Sequence, residues 1–378
     1  MILKPEPVSI VSYLEGSTRR IYVFALGEDG HLYVNWWDGA RWRWADQGKP
    51  GIAMTGQATA GVSAITYREG GKQRIYAFVP YGNLYVNYWD GNGWHWADQG
   101  RPSSQDVLVT RPSAVTYRQD NQQRIYCFVS TNSTLFVNYW DGKGWHWGNQ
   151  GAPPVESSGG AGSPEAITYS EGGVQRLYIF VTNSPASLAK GRLYVNWWDG
   201  NTWRWADQGR PSAPFQAIEP MGPLSGITYT ENGQRRIYLF ARGGLVSPGH
   251  LYVNYWNGTS WQWADQGTPA SVSEVSYPAT VTYRDESGKQ RIYTFVNAGR
   301  LYVNWWDGSK WNWADQGTPP GGSWHTETMR AITYHDGIHQ RIYAFMVGQD
   351  GHLWAHYWDG AGWHWGDQGM PQTSLAAA

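Results

Sequence analysis

One phrase in this sequence gathers most of the groups that could do chemistry. It has the form N-W/Y-W-D/N-G-x-x-W-x-W-A/G-D/N-Q-G, and its first copy runs from Asn35 to Gly48. Indole rings stand there beside an amide and carboxylates. A sugar presents apolar C–H patches together with fixed hydroxyls, so flat rings next to hydrogen-bonding side chains suit it chemically. The competing chemistry is glycoside hydrolysis, which needs a specialised carboxylate pair, or a tyrosine nucleophile with supporting groups, converging once per molecule. Here the acids are mostly copied along the chain, at Asp38, Asp90, Asp141, Asp199, Asp307 and Asp359 in the turns and again at the D-Q-G ends. Turn aspartates are ordinarily structural. Glu165, Glu219, Glu274 and Glu327 are not copied, and no motif surrounds them. His335 and His339 have a spacing that could hold a metal on a helix, but they fall in a turn between strands. No G-x-S-x-G, Walker A or G-x-G-x-x-G setting is present. We therefore expect no catalytic residue, no metal and no cofactor.

The phrase must be positioned by something that repeats with it. Its last seven residues, W-x-W-A/G-D/N-Q-G, recur at Trp42, Trp94, Trp145, Trp203, Trp261, Trp311 and Trp363, and the acid or amide of each copy follows the last by 52, 51, 58, 58, 50 and 52 residues. Such self-similarity decides architecture before any other signal. Each unit also holds A-I-T-Y, as at Ala64 to Tyr67, R-I/L-Y-x-F, as at Arg20 to Phe24, and L-Y-V-N-W/Y-W, as at Leu32 to Trp37. All are short, alternating, rich in β-branched and aromatic residues and bounded by Gly, Asn, Asp or Pro, which marks strands. Four strands per unit, repeated seven times, predict an all-β, seven-bladed β-propeller of antiparallel sheets. A stacked solenoid would need capping repeats, and the first and last units resemble the rest. The expectation is one domain over residues 1–378.

Side-chain alternation sorts the last hairpin of each unit into two faces. With the loop centred between Gly39 and Ala40, Trp37 lies opposite Trp42, Asn35 opposite Trp44 and Tyr33 opposite Asp46; a three-residue loop would shift this pairing. These six residues form one face; Leu32, Val34, Trp36, Arg43, Ala45 and Gln47 form the other. The candidate sugar-contacting set is the Asn and three Trp of the first face in each unit. It comprises Asn35, Trp37, Trp42 and Trp44, then Asn87, Trp89, Trp94 and Trp96, then Asn138, Trp140, Trp145 and Trp147. The fourth and fifth units add Asn196, Trp198, Trp203, Trp205, Asn254, Trp256, Trp261 and Trp263. The last two add Asn304, Trp306, Trp311 and Trp313, then Trp358, Trp363 and Trp365, with His356 in place of Asn. The alternative is that the rings pack between blades while Asn and Asp bond the hairpin backbone. Twenty-four of the twenty-six tryptophans occupy copies of this phrase, an excess that favours a ligand.

Between the paired tryptophans one position varies: Arg43, His95, His146, Arg204, Gln262, Asn312 and His364. All can donate hydrogen bonds, which suits a set of similar, unequal pockets and equally suits drift at a solvent edge. Arg20, Arg74, Arg124, Arg176, Arg236, Arg291 and Arg341 recur at the start of each second strand, where a guanidinium could reach sugar hydroxyls but pairing with backbone carbonyls or a loop carboxylate is the expected role.

Composition narrows the partners. Twenty-nine basic residues against thirty acidic ones, a net charge of -1, give no global attraction to nucleic acid or an anionic membrane. A protein-binding scaffold would show varied, charged blades, whereas charged residues are 16% here and the blades are near-identical. The single cysteine, Cys127, offers no disulfide framework. Met1 to Val11 does not read as a secretory signal and no apolar run approaches the ~18 residues of a membrane span, so localisation stays open.

The R-I-Y-x-F, L-Y-V-N-W/Y-W-D-G and W-x-W-A-D-Q-G phrases, in seven copies covering nearly the whole chain, resemble those of the Photorhabdus-type seven-bladed propeller lectins. The resemblance implies a bacterial, non-enzymatic, multivalent sugar-binding protein with sites between blades, a preference for L-fucose and O-methylated sugars, a tendency to form homo-oligomers, and contact with host glycans. Two units depart from the pattern, at L-W-A-H-Y-W (Leu353 to Trp358) and at Asn149, and weaker clefts are expected there.

Overall fold

The computed structural model describes residues 1–51, 60–108, 110–131, 133–154, 159–185, 191–213, 216–217, 220–244, 249–325 and 329–371. Glu219 and Glu327 lie outside them. Every unit of the sequence is a blade built on four antiparallel strands paired in chain order, the fourth blade carrying Gly159–Ala161 as a short fifth strand, and among the described residues there is no helix. The fold class is the expected seven-bladed β-propeller. In the first blade the strands are Ser9–Glu15, Thr18–Leu26, Leu32–Trp37 and Trp42–Asp46. Two compact units contain the blades. Met1–Gly100 with Thr318–Ala378 holds the seventh, first and second; Arg101–Gly317 holds the third to sixth.

The hairpin register is the one that spacing dictates. Trp37 pairs with Trp42, Asn35 with Trp44 and Tyr33 with Asp46, and the fourth blade repeats this with Trp198–Trp203 and Asn196–Trp205. The four-residue turn holds because the Asp38 carboxylate accepts the amides of Ala40 and Arg41 at 2.8 and 2.9 Å. Gly39 follows at φ +103°, where a Cβ would also meet Thr18 at 2.5 Å. At the end of the hairpin Asp46 accepts the Gly48 amide at 2.7 Å. Asn149 accepts the Gly151 amide at the same 2.7 Å through its side-chain oxygen, so that departure leaves the turn intact.

The core lies between neighbouring blades. Where the first blade meets the second, Phe24, Leu26, Val34, Ile75 and Val79 form one cluster; where the seventh meets the first, Val23, Tyr33, Phe345 and Val347 form another. Burial of these strand faces, more than any single polar contact, holds each unit together.

Candidate functional site

Within each compact unit the first face of the hairpin turns toward the preceding blade, as it does in the first, second, fourth, fifth and sixth blades. The Trp44 indole donates to the Gln368 carbonyl at 2.7 Å, and Trp96, Trp205, Trp263 and Trp313 donate to the carbonyls of Gln47, Gln150, Gln208 and Gln266 at 2.8–2.9 Å. Trp42 stands edge-on to Phe345, with centroids 5.5 Å apart, and Trp94, Trp203, Trp261 and Trp311 repeat this on Phe24, Phe128, Phe180 and Phe240. Trp37 leans on Trp42, and the pairs Trp89–Trp94, Trp140–Trp145, Trp198–Trp203, Trp256–Trp261, Trp306–Trp311 and Trp358–Trp363 match it at 5.6–5.8 Å. All the hairpin tryptophans of this face, Trp147 and Trp365 included, are half-buried. Asn35, Asn87, Asn138, Asn196, Asn254 and Asn304 are only 0–1% exposed, and the amide nitrogens of the first five face the carbonyl opposite, at 3.3–3.5 Å. The asparagines therefore sit behind the rings. A solvent-borne sugar meets other groups first.

An open cavity of about 380 Å³ lies between the first and second blades, within the range of ~300–1,000 Å³ that accepts small molecules. Its wall on the first blade is Tyr13, Tyr22 and Trp36, with Glu15 and Arg20; the second blade supplies Arg68, Lys72, Gln73 and Trp89. Of the residues expected to contact sugar, Trp89 lines this cavity. The other ring wall belongs to the second face. Tyr22 pairs across the strands with Trp36, and the rings of Tyr13, Tyr22 and Trp36 stack with centroids 5.9 Å apart at 12–14°. The same ladder stands on the other six blades, as Tyr169–Tyr178–Trp197 and Tyr334–Tyr343–Tyr357 illustrate. Burial raises the Tyr13 and Tyr22 phenols above their ordinary pKa, so the ladder stays neutral. Alternation along A-I-T-Y and R-I-Y-x-F marks Tyr13 and Tyr22 as strand residues, and their stacking with Trp36 needs the register of three strands.

Polar groups rim the ladder. Arg20 Nη1 donates to the Asp38 carbonyl, a tie repeated by Arg74, Arg176 and Arg291 to Asp90, Asp199 and Asp307, as expected of that position. Its other edge meets Glu15, with Nε 2.8 Å from Oε2. A guanidinium and carboxylate locked side by side at the edge of stacked rings can donate to one sugar hydroxyl and accept from the next. The variable position is tied elsewhere. Arg43, His95, His146, Arg204, Asn312 and His364 each bond the aspartate of their own turn, at 2.5–3.3 Å. Arg43 and the turn amides hold the Asp38 carboxyl well below the usual carboxylate range.

The two uncopied candidate glutamates among the described residues are partnered. Glu165 pairs with Arg111 at 3.2 Å and accepts the Gly226 amide, and Glu274 pairs with Arg242 at 3.3 Å. His335 Nδ1 accepts the amide of Gly337, inside its turn.

No protein-family model matches the sequence, and no curated protein matches it. Among solved structures the chain is similar to the BP39L lectin from Burkholderia pseudomallei, at a TM-score of 0.68 and 19% identity over 98% of this chain and 99% of that one. It is also similar to the six-bladed β-propeller lectin of Aleuria aurantia, at a TM-score of 0.53 and 17% identity over 84% of this chain and 98% of that one. A point mutant of the same lectin, in complex with α-methyl-L-fucoside, aligns at a TM-score of 0.53 and 18% identity over 84% of this chain and 97% of that one. At these identities the likeness establishes the fold.

Proposed function

We propose that the chain is a multivalent lectin without enzymatic turnover, of the Photorhabdus type, binding fucosylated and O-methylated glycans in clefts between blades. The observation that carries this reading is the cavity between the first and second blades, where a stacked Tyr13–Tyr22–Trp36 wall, flanked on its own blade by the Arg20–Glu15 pair, faces Trp89 of the next blade. Aromatic faces take the apolar edge of the ring or its methyl group; the ion pair, Gln73 and Arg68 meet the hydroxyls. Support also comes from the fold shared with lectins, one of them solved with a methyl fucoside. Repetition of the ladder over seven blades gives one chain several sites, and linked sites raise avidity by ~10²-fold or more without new contacts.

A broad glycan array, competed with free L-fucose and methylated sugars and paired with an assay for sugar release, tests the reading. Competable binding without release is expected. Absence of binding would favour a protein-interaction scaffold, and release would point to a glycosidase.

A further inference from the structure

The ladders are alike, yet the residue that the following blade lays beside them is not. In the cavity between the first and second blades that residue is Gln73, whose amide turns back onto its own sheet to Thr66 Oγ1 and the Tyr67 carbonyl. Gln175 and Gln290 turn back in the same way, to Thr168 and Thr282. Arginine holds this position in two blades. Arg19 of the first blade lies over the Tyr334 ring of the seventh, 4.6 Å from its centroid, and its Nη2 is 3.4 Å from the His335 carbonyl. Arg235 of the fifth blade lies over the Tyr169 ring of the fourth at 4.4 Å, donating to the Ser170 carbonyl at 3.1 Å.

The two contacts are built alike. In each, the guanidinium covers the first-strand tyrosine, the counterpart of Tyr13 on the cavity wall, and is pinned by the next residue's carbonyl. Thr228 Oγ1 adds a third tie to Arg235 at 3.5 Å. A cation on a ring face occupies the surface that a sugar C–H face would use. Arg284 spans the junction of the fifth and sixth blades to the Thr230 carbonyl at 2.8 Å, with no ring beneath it among the described residues, so a carbonyl tie alone does not cover a ladder.

We propose that Arg19 and Arg235 are stoppers, which close two of the interblade clefts to neutral sugars and divide the clefts of one chain into open and arginine-covered classes. This rests on the sugar-binding reading above. Entry of a fucoside requires displacing a guanidinium from both its ring and its carbonyl. Glutamine, the residue of the open class, removes the obstacle without changing the strand, because Ser12 and Thr228 offer it the hydroxyl that Thr66 offers Gln73.

The test uses the full chain and the variants Arg19→Gln, Arg235→Gln and the double variant, each checked for native circular dichroism. Tetranitromethane nitration, mapped by peptide mass, reads ring access; titration calorimetry with methyl α-L-fucoside reads the number of sites. Nitration of Tyr334 is expected to rise severalfold in Arg19→Gln and that of Tyr169 in Arg235→Gln, while the double variant gains two equivalents of fucoside per chain. Unchanged nitration, or a site number in the double variant no higher than in a wild type that does bind, overturns the stoppers alone. A wild type that binds no fucoside overturns the lectin reading and the stoppers with it.

Discussion

The two faces of a blade use aromatic rings for opposite ends. On the first face, Trp42 and Trp44 close against the preceding blade through Phe345 and the Gln368 carbonyl, and Asn35 disappears behind them. On the second, Tyr13, Tyr22 and Trp36 stack in a row that lines a cavity. Ring content alone therefore does not locate a ligand. What the rings face, a neighbouring backbone or an open cavity flanked by an ion pair, separates packing from recognition.

This division is open to attack from either side. Trp94→Ala removes the indole that stands on Phe24 and should cost about 3–5 kcal/mol of stability by denaturant titration. A stable Trp94→Ala protein that had lost only sugar binding would reverse the roles of the faces. The seventh blade offers a smaller, pH-dependent effect. His356, where the other blades have Asn, is 1% exposed and stacked on Trp363 at 4.8 Å, and burial pushes its pKa down to about 3. The unfolded chain takes up a proton below about pH 6.5 while the folded chain does not, so stability falls as pH drops from there toward about 3, by about 1.4 kcal/mol per unit. His356→Asn should remove about 2 kcal/mol of that loss at pH 5, measured as the difference in unfolding free energy between about pH 7 and pH 5. An identical pH dependence in both proteins would mean that this histidine is solvated.

On the second face, Trp36→Ala should weaken fucoside binding at the first cleft by tenfold or more, equivalent to about 1.4 kcal/mol, in a protein that remains folded. Calorimetry showing the wild-type number of sites and affinities would remove Trp36 from recognition. Asn149→Asp should do least, within about 0.5 kcal/mol in thermal unfolding, because either side chain accepts the Gly151 amide. A large change there would show that this turn does more than end a hairpin.

The blade is legible in the sequence because strand alternation and turn chemistry are local. A loop centred between Gly39 and Ala40 gives the register down to Tyr33 and Asp46 that the strands adopt. Alternation also sorts the hairpin into its two faces. It does not say which face meets the preceding blade and which the following one, since that depends on contacts some 50 residues away, such as Trp96 with Gln47, 49 residues apart. Asn35 and its counterparts, prominent beside the rings, are buried, whereas local patterning marks Tyr13, Tyr22 and Glu15 only as strand residues. Their assembly needs four strands in register and the next blade in place. Arg20 is legible in its tie to the Asp38 carbonyl and in pairing with a carboxylate, whereas the place of that pair beside a cavity is not.

Recognition by the ring ladders is tested most directly by a crystal structure of the chain soaked with methyl α-L-fucoside. Sugar density is expected between the first and second blades, its apolar edge against the Tyr13–Tyr22–Trp36 row or Trp89 and a hydroxyl on the Arg20–Glu15 pair. Sugar bound away from the ladders, or clefts left empty at saturating fucoside, would leave the second face without a role in binding.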